Sequence, residues 1–273
     1  MEGNALDKFV PTEIINAHGH YRPGELEQVA DRWQAAGLKA TCLCGTSEKS
    51  NAAVLECRRQ FGKLVVPFGY VDMEAGGGGE VVDRLREQGF VGLKFLFAPQ
   101  PYSHERYFGI YERAAELKMP AVFHTGWAAG AKIKRSLNMM PSELEPIAKT
   151  FMDWKIVAAH LGNFWAEDAV GVMEQHANVF FDLSGGFIRK QAPSWLRSLF
   201  LRQPDRNLRT IEEVVDHSLI GKLVFATDNP PLAELLEFYV NLLNWLEVPV
   251  EIQQKVYYGN MATIFSEAGY ELE

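Results

Sequence analysis

The sequence predicts an α/β fold: a single (β/α)8 barrel over residues 1–273, with additional C-terminal helices after its last strand. Three observations carry that expectation. About eight short, apolar, β-rich segments alternate with longer amphipathic ones. The length of 273 residues sits near the roughly 250 typical of one such barrel. Polar side chains cluster at the ends of the apolar runs, where a barrel carries its active site.

The elements follow in order. Glu13–Tyr21 is the first strand candidate, followed by a helix over Gly24–Ala36 with Gly37 as its stop. Lys39–Gly45 is the second strand. A helix from Ser47 to Phe61 closes at Gly62. Leu64–Asp72 is the third strand, Glu80–Gln88 the next helix with Gly89 after it, and Phe90–Phe97 the fourth strand. Glu105–Leu117 shows a helical stripe at Tyr107, Ile110, Tyr111, Ala114 and Leu117. Pro120–Gly126 is the fifth strand. Ser142 and Glu145 have the spacing of a capping box. Lys155–Gly162, helix Trp165–Gln175 and Val179–Gly185 continue the series. A helix over Thr210–Leu219 leads into the last strand, Lys222–Pro230. Leu232–Leu246 and Val250–Phe265 are the extra helices. Several strands are apolar almost throughout, as parallel strands covered on both faces must be. A dinucleotide-binding sheet would carry G-x-G-x-x-G after its first strand; here that strand ends in His18-Gly19-His20.

Bulk properties narrow the function. Hydrophobic content of 47% and charged content of 23% fit a globular chain. The formal charge of −8 argues against nucleic-acid binding. Cys42, Cys44 and Cys57 form no disulfide framework; the first two lie in an apolar strand and read as small core residues. Met1–Val10 lacks the apolar core of a signal peptide, and no run reaches the roughly 18 apolar residues of a membrane span. A cytoplasmic protein is expected. Gly76–Gly79 reads as a loop before a helix, because the Lys-Ser/Thr sequel of a phosphate-binding loop is missing.

Chemistry concentrates at the strand ends. His18 and His20 stand two apart on a strand, roughly 6.5–7 Å between Cα atoms, so two imidazoles can converge on one ion. His124, His160 and Asp228 end three further apolar runs and face the same mouth. A carboxylate there is costly without a partner, and a metal compensates it. Lys94 lies inside an apolar strand, where lysine is rarely buried alone. It can pair with Asp228 or another carboxylate, bind a substrate anion, or be carboxylated and bridge two metals. His176 and His217 fall on helices and read as surface residues. His104 lies in a loop above the mouth, as a substrate contact. Asp182, in the seventh strand, is placed to support a metal ligand by a hydrogen bond.

The segments INAHGHY, GLKF, RYFGIYERAAELKMPAVFHTG, AAHLG, FFDLSG, FATDNP and YYGNMATIF occur in an order that resembles the amidohydrolase superfamily. The branch is the amidohydrolase-related, metal-dependent hydrolases on a TIM barrel. The resemblance spans nearly the whole chain. It implies His18, His20, His124 and Asp228 as metal ligands and His160 as a catalytic or second-metal histidine. Two positions depart from the family pattern: Asn16 stands where an acid often precedes the first histidine, and Leu96-Phe97 where a histidine and proline often follow the lysine.

The expected activity is hydrolysis of a small molecule by metal-activated water, with Asp228 taking a proton and His160 polarising a carbonyl or shuttling a proton. Lys94 completes the catalytic set. The alternative is a metal-dependent decarboxylase or other lyase acting on an aromatic or unsaturated acid. Zn²⁺ suits a nitrogen-rich site, with Mn²⁺ second, and one ion is expected rather than two. Lys132, Lys134 and Arg135 after the fifth strand, and Arg189, Lys190 and Arg197 after the seventh, suggest an anionic substrate with Arg189 as anchor. Trp127, Phe164, Trp165 and Phe187 could wall a flat one. Trp245 and the apolar C-terminal helices point to a homodimer.

Overall fold

The computed structural model describes residues 8–21, 24–128, 133–203, 213–229 and 232–272. Eight parallel strands form one sheet: β1 (Ile14–Gly19), β2 (Leu38–Cys44), β3 (Val65–Tyr70), β4 (Gly92–Phe95), β5 (Ala121–His124), β6 (Ile156–Ala159), β7 (Val179–Asp182) and β10 (Leu223–Val224). Their spatial order is their chain order. The sheet curls until its edges meet. Ala17 N donates to Phe225 O at 2.8 Å, and Asp228 N donates to His18 O at 2.9 Å. Between β7 and β10 the chain makes a small antiparallel ladder, β8 (Leu201–Arg202) with β9 (Val214–Val215).

Alternation along each strand divides the apolar residues into two layers. Ile15, Ala17, Ala40, Cys42, Val66, Phe68, Val122, Val157 and Val224 fill the barrel interior. Ile14, Leu43, Leu93, Phe95, Phe123 and Phe181 face outward under the helices. Met261, Ile264 and Phe265 pack with the interior set. The last C-terminal helix therefore belongs to the barrel core, whereas Leu232, Leu235, Tyr239 and Leu243 of the helix Leu232–Trp245 pack in the outer layer.

Most expected helices are present, with ends that differ by one or a few residues. Ser47 caps Glu48–Phe61 and Ser50 reciprocates, a capping box the sequence analysis did not foresee. The box expected at Ser142 and Glu145 does not form. Ser142 lies inside a 3-10 turn, Pro141–Leu144, whose cap is Met140. Residues 213–216 are not helical; Asp216 instead caps the short helix His217–Ile220. The start of that expected helix, from Thr210, lies outside the described residues, as does Pro230. The Val250–Phe265 helix is interrupted by a π turn at Lys255–Gly259. Cys42, Cys44 and Cys57 are all free thiols, the first two buried.

Two glycines show how tightly the strand ends are fitted. Gly126, at φ 86°, follows β5, and a Cβ there would sit 2.4 Å from the Gly162 carbonyl oxygen beyond β6. Gly24 has the same φ of 86°, and a Cβ there would meet nothing among the described residues within 4 Å. In urea titrations, Gly24→Ala should cost about 1 kcal/mol for its left-handed backbone. Gly126→Ala should cost on the order of 3 kcal/mol, because backbone must also move. Equal costs would contradict this packing.

Candidate active site

The path to the site begins with a defect in β1. Asn16 pairs with Thr41 and Gly19 with Leu43, so three residues of β1 pass against two of β2. Such a bulge re-aims the side chains that follow it. Asn16 lies among Thr41, Thr227 and Tyr21, bonding all three. His18, two residues on, reaches the interior instead. There its Nε2 is 2.9 Å from Lys94 Nζ. Both His18 and Lys94 are fully buried.

Hydrogen bonds settle the protons on the first two histidines. His20 Nδ1 donates to the Cys44 carbonyl at 2.8 Å. His18 Nδ1 faces Asp182 Oδ2 at 3.3 Å. Both partners accept, so each ring keeps its proton on Nδ1 and offers a lone pair at Nε2. The two Nε2 atoms are 3.0 Å apart. Asp228 Oδ1 lies 3.8 Å from one and 3.7 Å from the other. Its second oxygen accepts from Asn229 Nδ2 at 2.9 Å.

Electrostatics keep these rings neutral. Burial, with Lys94 and His20 alongside, pushes His18 well below its ordinary pKa. Burial and Lys94 lower His20 to about 4. His124 is lowered well below the usual value by burial, then by His160 and Lys94. Burial lowers the Lys94 ammonium too, with Cys44, Asp228 and Asp182 opposing. Burial tends to raise Asp228, but His160, His18, His20 and Lys94 outweigh it and hold the carboxyl low. Neutral imidazoles beside an ionised carboxylate are the donor set of a divalent transition ion. The His18–His20–Asp228 group can hold one.

A second cluster lies against the first. His18, His160 and Asp182 also bring ligand-type atoms within 4.8 Å of one another. His160 follows β6 at φ 68°, and Leu161 and Asn163 also have positive φ. Thr125 secures this strained turn by donating to Ala159 O at 2.5 Å and accepting from Gly162 N at 3.2 Å. Asp228 has φ 61°. Strained backbone of this kind gathers at functional sites. His124 belongs to neither ligand group among the described residues. Its ring packs 4.8 Å from that of His160, and its Nε2 meets Trp127 O at 3.3 Å, which leaves Nδ1 as its lone-pair nitrogen.

Two cavities share His124, His160 and Asp228. One, of about 260 Å³, is walled by Trp127, Phe164 and Phe187. The other, of about 760 Å³, runs past His20, Tyr21, Thr46, Ser50 and Phe97. Phe164 and Phe187 pack 4.3 Å apart, and Trp127 and Phe164 are exposed at the rim. Other expected contacts lie elsewhere. Arg189 pairs with Glu234 at 3.4 Å. His104 accepts from Arg106 N at 3.2 Å and caps a turn. Arg135 pairs with Glu74; Lys132 and the Lys134 side chain lie outside the described residues. His176 and His217, expected at the surface, are partly covered, and His176 stands 4.0 Å from Glu145. Sequence reasoning passed over Ser184, although it sits in the FFDLSG segment beside Asp182.

A family model described as Amidohydrolase matches residues 20–266. The chain belongs to the amidohydrolase family. No curated protein matches the sequence. Among solved structures, a TIM-barrel protein from Bordetella bronchiseptica is similar at 16% identity and TM-score 0.69, covering 90% of this chain and 84% of its own. A probable 2-pyrone-4,6-dicarboxylic acid hydrolase from Acinetobacter baumannii, with citric acid bound, shares 14% identity at TM-score 0.64, covering 93% and 99%. A 5-carboxyvanillate decarboxylase from Sphingomonas paucimobilis shares 12% at TM-score 0.63, covering 94% and 99%. These likenesses establish the fold. Family membership makes this amidohydrolase an enzyme of a metal-dependent class acting on small molecules. No helix among its described residues is long and apolar enough to cross a membrane.

The neutral histidines make the metal-free amidohydrolase sensitive to acid. Their folded pKa values lie below the unfolded value near 6.5. The unfolded chain therefore binds more protons in that window, and stability is lost as pH falls from about 6.5 toward about 4. Urea midpoints measured across this range on metal-free protein should fall, and less steeply in His20→Asn. An identical slope in that variant would contradict the burial of a neutral His20.

Proposed function

We propose that this amidohydrolase is a metal-dependent hydrolase of a small, carboxylated substrate. The observation that carries the proposal is the pair of lone-pair nitrogens, His18 Nε2 and His20 Nε2, 3.0 Å apart beside the Asp228 carboxylate. His18, His20, His124 and Asp228 would hold the ion. A divalent ion, Zn²⁺ first and Mn²⁺ second, supplies Lewis acidity that polarises a carbonyl and makes hydroxide available near neutral pH. Asp228 accepts the proton of the attacking water, with Asn229 steadying its other oxygen. His160 exchanges a proton with the substrate at the meeting point of the two cavities. Lys94 adds a buried positive charge beside His18. That charge favours a negative substrate, and the site is taken to hold one ion with Lys94 uncarboxylated.

The substrate class rests on two supports. The similar hydrolase and decarboxylase are both named for carboxylic acids. The Trp127, Phe164 and Phe187 wall suits a flat group. The same wall favours the second reading, decarboxylation of an aromatic or unsaturated acid. Arg189 would anchor the carboxylate by exchanging Glu234 for it.

Elemental analysis of protein purified without added metal or chelator should give about one ion per chain. A value near zero that Zn²⁺ and Mn²⁺ do not restore would overturn the metal-dependent reading. A carboxylic-acid panel separates the two chemistries: hydrolysis leaves carboxylate carbon intact, and decarboxylation releases carbon dioxide. On the acid so identified, Arg189→Ala should raise KM about tenfold, the worth of one charge-assisted hydrogen bond. Glu234→Ala should lower KM. An unchanged KM in Arg189→Ala removes Arg189 as anchor.

A further inference from the structure

A catalytic histidine works only when its reactive nitrogen carries the correct lone pair, and the structure contains a device that decides this for His160. Asp182 Oδ1 is surrounded by donors. It accepts from His160 N at 2.9 Å, from Ser184 N at 2.8 Å and from the Ser184 hydroxyl at 2.5 Å. The two amides can only donate. The single hydroxyl proton of Ser184 is thus committed to Asp182, and its oxygen has only lone pairs left. His160 Nδ1 lies 2.9 Å from that oxygen. A ring nitrogen facing a lone pair at this distance carries a hydrogen. Asp182 is itself 4.0 Å from His160 Nδ1, too far for a direct hydrogen bond. Ser184 is the bridge.

We infer that Ser184 is a positioning residue that relays the acceptor character of Asp182 to His160. It holds the Nδ1–H tautomer and leaves the lone pair on Nε2. Packing supports the placement. Gly185, at φ 93°, follows Ser184, and a Cβ there would sit 3.0 Å from His160 Nδ1. A side chain at that position would displace the ring from the serine. The inference links both clusters, because the same Asp182 carboxylate holds His18 through its other oxygen.

The tautomer assignment stands on geometry alone; its kinetic consequence rests on the proton-transfer role proposed for His160. The test is ¹⁵N–¹H correlation of the histidine side chains in Zn²⁺-loaded protein, with His160 assigned by comparison with His160→Gln. The native protein should show a protonated Nδ1 at His160. Ser184→Ala should mix the two tautomers, and Ser184→Thr, which keeps the hydroxyl, should restore the native signature. On an identified substrate, Ser184→Ala should lose about 10- to 100-fold in kcat with KM little changed, and Ser184→Thr should recover most of it. A native spectrum with the proton on Nε2 alone, or a Ser184→Ala spectrum identical to native, overturns the inference. If Ser184→Ala does not fold, the native and Ser184→Thr spectra still decide it. A tautomer change without loss of kcat would overturn the proton-transfer role of His160 and uphold the assignment.

Discussion

A carboxylate with no access to water is stable only while enough donors surround it. Asp182 is fully buried at the end of β7 and meets that condition with groups from three strands: the His18 ring from β1, the His160 amide after β6, and both the amide and hydroxyl of Ser184 after β7. Moving any one of them leaves a buried charge short of a partner. The carboxylate therefore fixes the relative positions of two histidines that are 142 residues apart in sequence (160 less 18). Their ring centroids stand 5.3 Å apart.

Around that anchor the other groups are placed by charge. Burial, reinforced by Lys94, keeps His18, His20 and His124 neutral, and His160, His18 and His20, with Lys94 behind them, keep Asp228 ionised. Each ring then presents one lone pair because its other nitrogen meets a defined acceptor: Asp182, the Cys44 carbonyl or the Trp127 carbonyl. Two of those acceptors are backbone atoms. Substituting Cys44 or Trp127 leaves the acceptor in place, so the orientation of the ligands depends on the course of the strands more than on neighbouring side chains.

The barrel was legible because each strand is a local feature, an apolar run with a polar end. His18, His20, His160 and Asp228 were legible for the same reason, and the structure gathers them at one mouth. What was hidden depends on contacts distant in sequence or on backbone irregularity. The i, i+2 rule correctly relates His18 to His20 but gives no sign that the bulge after Asn16 is what turns His18 inward. Nothing local to Arg189 announces Glu234, which comes from the helix after the last strand. His104 looked like a mouth residue, and it closes a turn because Arg106 N comes within reach. The Ser142 capping signal fails because Pro141 starts the turn one residue earlier. Ser184 could have been read from D-x-S beside a buried Asp182, since a short polar side chain two residues on readily bonds back.

The closure of the sheet bears on how such a chain is made. β1 is synthesised well before its neighbour across the seam, Phe225 to Asp228, which lies more than 200 residues later; Asn16 and Thr227, bonded to each other, are 211 apart. Met261, Ile264 and Phe265, which complete the interior, come later still. Throughout synthesis β1 has one edge without its partner, and unpaired edges of that kind invite association between chains. The barrel of this protein can close only once the segment from Phe225 to Phe265 has been made, so shielding of the β1 edge until then is a requirement that the topology itself imposes.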